Sequence, residues 1–404
     1  MLKPLVGLML KPLVGIFAVP LCLSACFMTQ LPAPVPPPLA AVNVGNIDLQ
    51  QAATAPDVNV QLDVGIRIFG NEFKWGQEFD ESEWVFNEIR ESEAHYLPYE
   101  LRNTLTASNQ WGAVRVLPDN DPSMDLMIEG TILRSDGAEL VLRVTARDSS
   151  GRLWLEESYR ATATREDYPE SGGGGEGSGG GESREGFNDP FKNIYNRISN
   201  DLSAQRDELS ATELQSIKTV ATLVYANDLA PDAFAHFIAT NITGRIGIVS
   251  LPAESDPILL RVKDMRQRHY LFIDRVDDYY QALYQDMQAP YLVWRNYSHN
   301  QQREYQDEQA RSLVALNSER RSGGSGNDSY LALIQRYNKF RWAKVYDQEF
   351  TDLAEGFSSE VTPAVLELNR QVEGLSGTVE EQYAQWRRIL RELFELETGQ
   401  SAGL

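Results

Sequence analysis

"IEGTILRSDGAELVLRVTARDSSGRLW" spans residues 128–154. Leu126, Ile128 and Ile132 alternate with polar positions, and Leu140, Leu142 and Val144 do the same beyond Asp136-Gly137. A period of two is the mark of a half-buried strand, and Asp-Gly between two such runs is a strong hairpin signal. Ser150-Gly151 turns the chain again, into "RLWLEESYRATA" (152–163). The stretch predicts a three-stranded antiparallel meander.

Working outward, "LDVGIRIF" (62–69) sets Leu62, Val64, Ile66 and Ile68 against Asp63, Gly65 and Arg67, which predicts another strand. "LPYELRNTLTAS" (97–108) places Leu97, Leu101 and Leu105 four apart, a helix face with Pro98 expected in its first turn. "GAVRVLP" (112–118) reads as a strand ended by proline. After the meander, 170–186 is so rich in glycine and acid that a flexible loop is expected. Its Gly-x-Gly-x-x-Gly fragments lack the strand before and the helix directly after that a phosphate cradle needs. "FKNIYNRISNDLSAQRDEL" (191–209) spaces Ile194, Ile198 and Leu202 by four, an amphipathic helix. Residues 61–209 are therefore expected to form an α+β domain. Its antiparallel or mixed sheet has one face covered by two helices and one charged and open.

This order of elements, with the strand-turn-strand run of 128–154, resembles a small domain of periplasmic assembly proteins. Examples are the N-terminal domain of the Tol translocation protein and the lipopolysaccharide-assembly and curli-secretion lipoproteins. The likeness is one of fold and brings no catalytic motif.

From 210 the chain reads as a mainly α-helical domain, 210–404. "SATELQSIKTVATLVYAN" (210–227) opens on a Ser-x-x-Glu capping box, with Thr212 as an alternative cap. Helices are expected at 257–288, at 291–317 beyond Pro290, near 328–355 and at 361–373, with "GGSG" (323–326) as a break. In "GTVEEQYAQWRRILRELFELE" (377–397), Thr378 and Glu381 form a capping box. Val379, Tyr383, Trp386, Ile389, Leu390, Leu393 and Phe394 share one face, so this helix is expected to dock in a core around Trp386. The helical half resembles uncharacterised proteobacterial lipoproteins, a likeness without an activity attached.

The other end of the chain speaks to location. Residues 1–25 hold Lys3, Lys11 and no acid, and are nearly all apolar from Leu13 to Ala25, as in a secretory signal. The run is too short for a comfortable transmembrane helix. It ends in Leu23-Ser24-Ala25-Cys26, which resembles the lipobox of bacterial lipoproteins. That resemblance implies lipidation of Cys26 and cleavage just before it. "MLKPLVGL" (1–8) is repeated as "MLKPLVGI" (9–16), so the signal starts at Met1 or Met9. Cleavage removes Cys22, which leaves no cysteine for a disulfide, a nucleophile or a metal site. With Phe27 rather than Asp after the cysteine, the family rule implies the inner leaflet of the outer membrane, facing the periplasm. Residues 26–60 include "QLPAPVPPPLAAV" and predict a proline-rich tether that reaches about 90 Å over thirty residues.

Removing residues 1–25, with their two lysines, takes the net charge from −21 to −23. A chain this acidic repels nucleic acid, and no basic stripe is present to offset that. No Gly-x-Ser-x-Gly elbow, Walker loop or His-Glu-x-x-His helix occurs. In "HYLFIDRVDDYYQALYQDM" (269–287), His269 falls on the apolar face while Asp274 and Asp278 project oppositely and Asp277 laterally. A satisfied, buried histidine and a solvated acidic face are expected, rather than a site. "DNDPSMD" (119–125) offers Asp119, Asp121 and Asp125 but has Met124 and Gly130 where an EF-hand loop needs Gly and Glu, so it reads as a polar connection. His95, His236 and His299 are scattered. Trp294, Tyr297 and Tyr305 share a face with Gln301, which suits packing between helices better than sugar stacking. No catalytic, cofactor or metal residue is assigned; the one site residue is Cys26. The expected function is non-enzymatic: a membrane-anchored protein that binds an envelope partner. The alternative is an enzyme or binding protein acting on an envelope polymer such as peptidoglycan or polysaccharide.

Overall fold

The computed structural model describes residues 40–71, 87–168, 189–319, 365–368, 371–375 and 377–399. The signal, Cys26, the whole glycine loop expected at 170–186, "GGSG" and the helix expected at 328–355 lie outside the described residues. Residues 39–404 cluster as one compact unit.

The strands, in chain order, are β1 (Val42–Asn43), β2 (Val64–Arg67), β3 (Gly70–Asn71) and, after helix α1 (Asn87–Ala107), β4 (Val114–Leu117). The meander follows as β5 (Leu126–Ser135), β6 (Glu139–Asp148) and β7 (Leu153–Thr162). They form one mixed sheet in the order β1-β7-β6-β5-β2-β4, with β3 also on β5. The β5–β6 and β6–β7 pairs are antiparallel, while β2 runs parallel to both β4 and β5. Helices α2 (Lys192–Asp207), α3 (Ala211–Leu229) and the short α4 (Pro231–Phe234) come next. A hairpin, β8 (Ile238–Thr240) and β9 (Ile246–Ile248), precedes the 63-residue α5 (Pro257–Glu319). A second hairpin, β10 (Val365–Leu368) and β11 (Gln371–Gly374), precedes α6 (Val379–Thr398).

Several expectations need correction. Helix α1 starts ten residues earlier than Leu97, so Pro98 lies in its interior. Proline has no N–H to give the carbonyl four residues back. That carbonyl, of Ala94, accepts instead the N–H of Phe69, the residue before β3, at 2.9 Å. Helix α5 runs through Pro290 without a break, because Met287, Tyr291 and Trp294 on either side of it are core residues. Residues 361–373 are not helical where described; their Val-Leu-Glu-Leu and Gln-Val-Glu-Gly segments pair antiparallel. Within the part expected to be mainly helical, Ile238–Thr240 and Ile246–Ile248 pair antiparallel as the β8–β9 hairpin. Residues 42–52 do not belong to a free tether. Val42 pairs with Tyr159, and Ile47, Asp48 and Gln50 exchange hydrogen bonds with Asn193, Asn196 and Asn200 of α2.

Two cores result. The first lies between the sheet, α1 and α2, and takes in Leu97, Leu101, Ile194 and Ile198 together with Leu214, Ile217, Tyr291 and Trp294. The second joins Val116, Leu117 and Met124 to α3, α5 and α6 through Tyr225, Met265, Phe272, Tyr383 and Trp386. Both draw residues from either side of the boundary expected at 209/210. The sheet face expected to stay charged and open is thus covered toward β2 and β4. There Asp277 of α5 accepts the edge-strand N–H of Val116 at 2.7 Å and blocks further pairing. Both capping boxes form as the sequence predicts, at Ser210/Glu213 and Thr378/Glu381. Among the described residues no helix is long and apolar enough to cross a membrane.

Candidate functional site

Two polar clusters are buried where elements meet, and both gather residue types that carry chemistry. The first joins two segments dismissed separately in the sequence. His269 of α5 is 1% exposed, and its Nε2 lies 2.6 Å from Oδ2 of Asp121, in the loop between β4 and β5. The Trp386 indole N–H of α6 donates to His269 Nδ1 at 3.2 Å. An accepting Nδ1 leaves the ring proton on Nε2, facing Asp121. The Tyr383 hydroxyl also donates to Asp121 Oδ2, and the Ser123 N–H donates to Oδ1 at 2.7 Å. Tyr225 stacks on the imidazole and Phe272 on Trp386. Burial opposes charge on Asp121, but His269 and the donors from His269, Ser123 and Tyr383 outweigh it and hold the carboxyl well below the usual range. Burial, with Asp121's charge next, pushes the Tyr383 phenol far up, so it stays a neutral donor.

Asp125 stands apart from that pair. It accepts the Asp63 N–H at 2.9 Å and is pushed up to about 6, chiefly by burial. Asp119 is exposed beside Arg67. Asp274 is half exposed and pairs with Arg115 at 2.5 Å, and Asp277 pairs with Arg102 at 2.7 Å, so only Asp278 keeps the plain solvated role expected of this run.

The second cluster was not anticipated. Arg295 of α5 is 1% exposed; it approaches Glu93 of α1 at 3.1 Å and donates to the Asp136 carbonyl at 2.6 Å and to the Tyr291 hydroxyl at 2.7 Å. Its guanidinium lies over the Phe191 ring, 4.5 Å from the centroid. Ser135 Oγ and Tyr291 OH donate to Glu93 Oε1 at 2.5 and 3.0 Å. Gly137 is required here by close approach. A Cβ on it would sit 2.0 Å from the His299 backbone nitrogen of α5, and the Gly137 N–H donates to Ser298 Oγ. Beside this lies Glu100, which accepts from Tyr96 at 2.9 Å and Tyr284 at 2.6 Å. The signal missed in the sequence is Arg295 itself, four residues from Tyr291 on the apolar stripe of α5. A charge on such a stripe implies a buried partner.

The remaining candidates are dispersed. His95 lies 3.9 Å from Glu380, His236 packs on Phe237, and His299 packs on Tyr168. Trp294 is in the first core, as expected for packing; the side chains of Tyr297, Gln301 and Tyr305 are outside the described residues. Among the described residues no group of three or more His, Cys, Asp or Glu is arranged to hold a metal ion. Both clusters tie elements together: the first docks α6 on α5 and the β4–β5 loop, and the second docks α5 on α1 and the β5–β6 turn. No family model matches the chain, and no curated protein matches it either.

Proposed function

We propose that the chain is a lipid-anchored protein of the cell envelope that binds other envelope components and does not transform a substrate. The observation that carries this reading is Leu23-Ser24-Ala25-Cys26 at the end of a basic-then-apolar leader. Acyl chains on Cys26 supply the membrane attachment, each buried methylene contributing about 0.8 kcal/mol. Phe27 favours the outer membrane, with the body in the periplasm.

Two further points support the reading. Ala40 stands fourteen positions after Cys26, a separation that could reach at most roughly 43 Å at about 3.1 Å per residue. The body is held within reach of membrane-bound partners rather than far from them. Secondly, among the described residues His269 and Asp121 are engaged with each other in internal docking, and Glu93 with Arg295.

The test is Cys26→Ser in cells, followed by membrane fractionation, labelling with a palmitate analogue and crosslinking of the captured partners. Loss of label and of cleavage is expected, together with loss of partner crosslinks. A Cys26→Ser chain that still shows a mature N-terminus at 26 in the outer membrane would end the proposal.

A further inference from the structure

Helix α1, helix α5 and the lead-in to α2 meet around three carboxyls: Glu93, Glu100 and Asp189. Arg295 is the cation that faces them among the described residues, and its donors are committed to Glu93, Tyr291 and the Asp136 carbonyl. Glu100 receives only phenol donors, from Tyr96 and Tyr284. Asp189 Oδ1 accepts the Phe191 N–H at 2.7 Å, and its Oδ2 is buried beside the Tyr195 hydroxyl. Glu93 Oε2 is buried and unpartnered. Three acids against one guanidinium would leave a surplus of negative charge in a low-dielectric junction.

We infer that this junction is a pH-sensitive contact: it closes while Glu100 carries a proton and loosens as Glu100 ionises beside Asp189. The groups around it agree. From α1, Glu93 and Tyr96 face it; from α5, Tyr284, Tyr291 and Arg295; from α2, Tyr195. Tyr168, beyond β7, and Asp136, in the β5–β6 turn, complete the surroundings. Burial first, then Asp189's charge, pushes Glu100 up to about 7. Burial raises Asp189 as well, against the pull of Arg295. The buried phenols are all shifted upward by burial, so they remain neutral donors while the carboxyls titrate.

The sign is fixed by linkage. A carboxyl whose folded pKa is raised binds more protons in the folded than in the unfolded state. Its contribution is full below the unfolded value of 4.5 and lost as pH rises through about 7. Across that window one such group raises the unfolding equilibrium constant up to about tenfold per pH unit.

The experiment is chemical denaturation of the full chain in mild detergent from pH 5 to 8.5, with amide hydrogen exchange over 284–299 corrected for intrinsic rates. In the wild type, unfolding becomes easier and 284–299 less protected toward pH 8. Glu100→Gln, which imitates the protonated acid, should flatten both curves between pH 5 and 7. Asp189→Asn removes the charge that raises Glu100, so it should move the midpoint to lower pH, and this decides the matter if Glu100→Gln does not fold. A Glu100→Gln chain with the wild-type pH slope, or an Asp189→Asn chain with the wild-type midpoint, overturns the inference. Neither result touches the lipid anchor, which rests on other residues.

Discussion

The Asp121–His269 clasp and the Glu93–Glu100–Asp189 junction are both buried, and both hold α5 to its neighbours, yet they differ in how charge is balanced. In the clasp, one carboxylate takes donors from an imidazole, a phenol and a backbone N–H, and the imidazole's second nitrogen is taken by an indole. In the junction, the one guanidinium pairs with Glu93, while Glu100 has phenol donors alone and Asp189 is raised by burial. Saturated donors depress a buried carboxyl, and a shortage of cations raises it. The two sites should therefore respond oppositely to pH. The clasp contributes stability above the unfolded value of 3.8 and loses it as pH falls toward Asp121's depressed folded value. The junction loses stability as pH rises toward 7, and Asp125, raised to about 6 elsewhere, adds to the same limb. Maximal stability is expected in mildly acidic solution, where neither loss applies.

The largest effect should come from removing the aromatic roof of the clasp. Trp386 is 1% exposed, stacks on Phe272 and satisfies His269 Nδ1. Trp386→Ala should cost about 3–5 kcal/mol in chemical denaturation. A mutant within 1 kcal/mol of wild type would show that α6 is not docked as described. Asp121→Asn should be milder, about 1.5–3 kcal/mol at pH 7, because it keeps the shape but removes a charged acceptor. Its amide would also present a donor to His269 Nε2 or Tyr383, which are donors themselves. The cost should shrink as pH falls below 3.8, where the unfolded chain binds a proton that the folded Asp121 still refuses. A cost that does not vary with pH would break the contrast between the two sites.

Much of the sheet could be read locally. The meander of β5, β6 and β7 follows from alternation, and the starts of α3 and α6 follow from four-residue capping boxes. The Asp136-Gly137 turn was also legible, though for a further reason than the one the dipeptide suggests. Gly137 does not appear among the glycines of positive φ; it is needed because the α5 backbone lies against it. What could not be read depends on partners far away in the chain. His269 and Asp121 are 148 residues apart, and Tyr383 lies 262 from Asp121, so no spacing signals their meeting. Pro98 and Pro290 misled for a related reason. Local preference ends helices at proline, whereas here the Ala94 carbonyl is satisfied by Phe69, and core side chains hold α5 on both sides of Pro290.

The smallest effect sharpens the comparison most. Tyr284 donates its hydroxyl to Glu100 at 2.6 Å, and this bond opposes the upward push of burial on the carboxyl. Tyr284→Phe keeps the ring against Tyr96 and Tyr99 and removes the donor to Glu100, together with the acceptor of the part-buried Gln288 amide, a loss that does not depend on pH. At pH 5 Glu100 is protonated in the folded chain, the bond is one between neutral groups, and its loss should cost about 1 kcal/mol. At pH 8 the carboxylate is charged, and loss of a donor to a charged group should cost more, about 1.5–3 kcal/mol. The same change should move the stability midpoint upward in pH, since the charged form loses support. Denaturation at both pH values, beside Asp121→Asn, checks this directly. An equal cost at pH 5 and pH 8 would mean that Glu100 does not change charge between them, and the junction would then be no different in kind from the clasp.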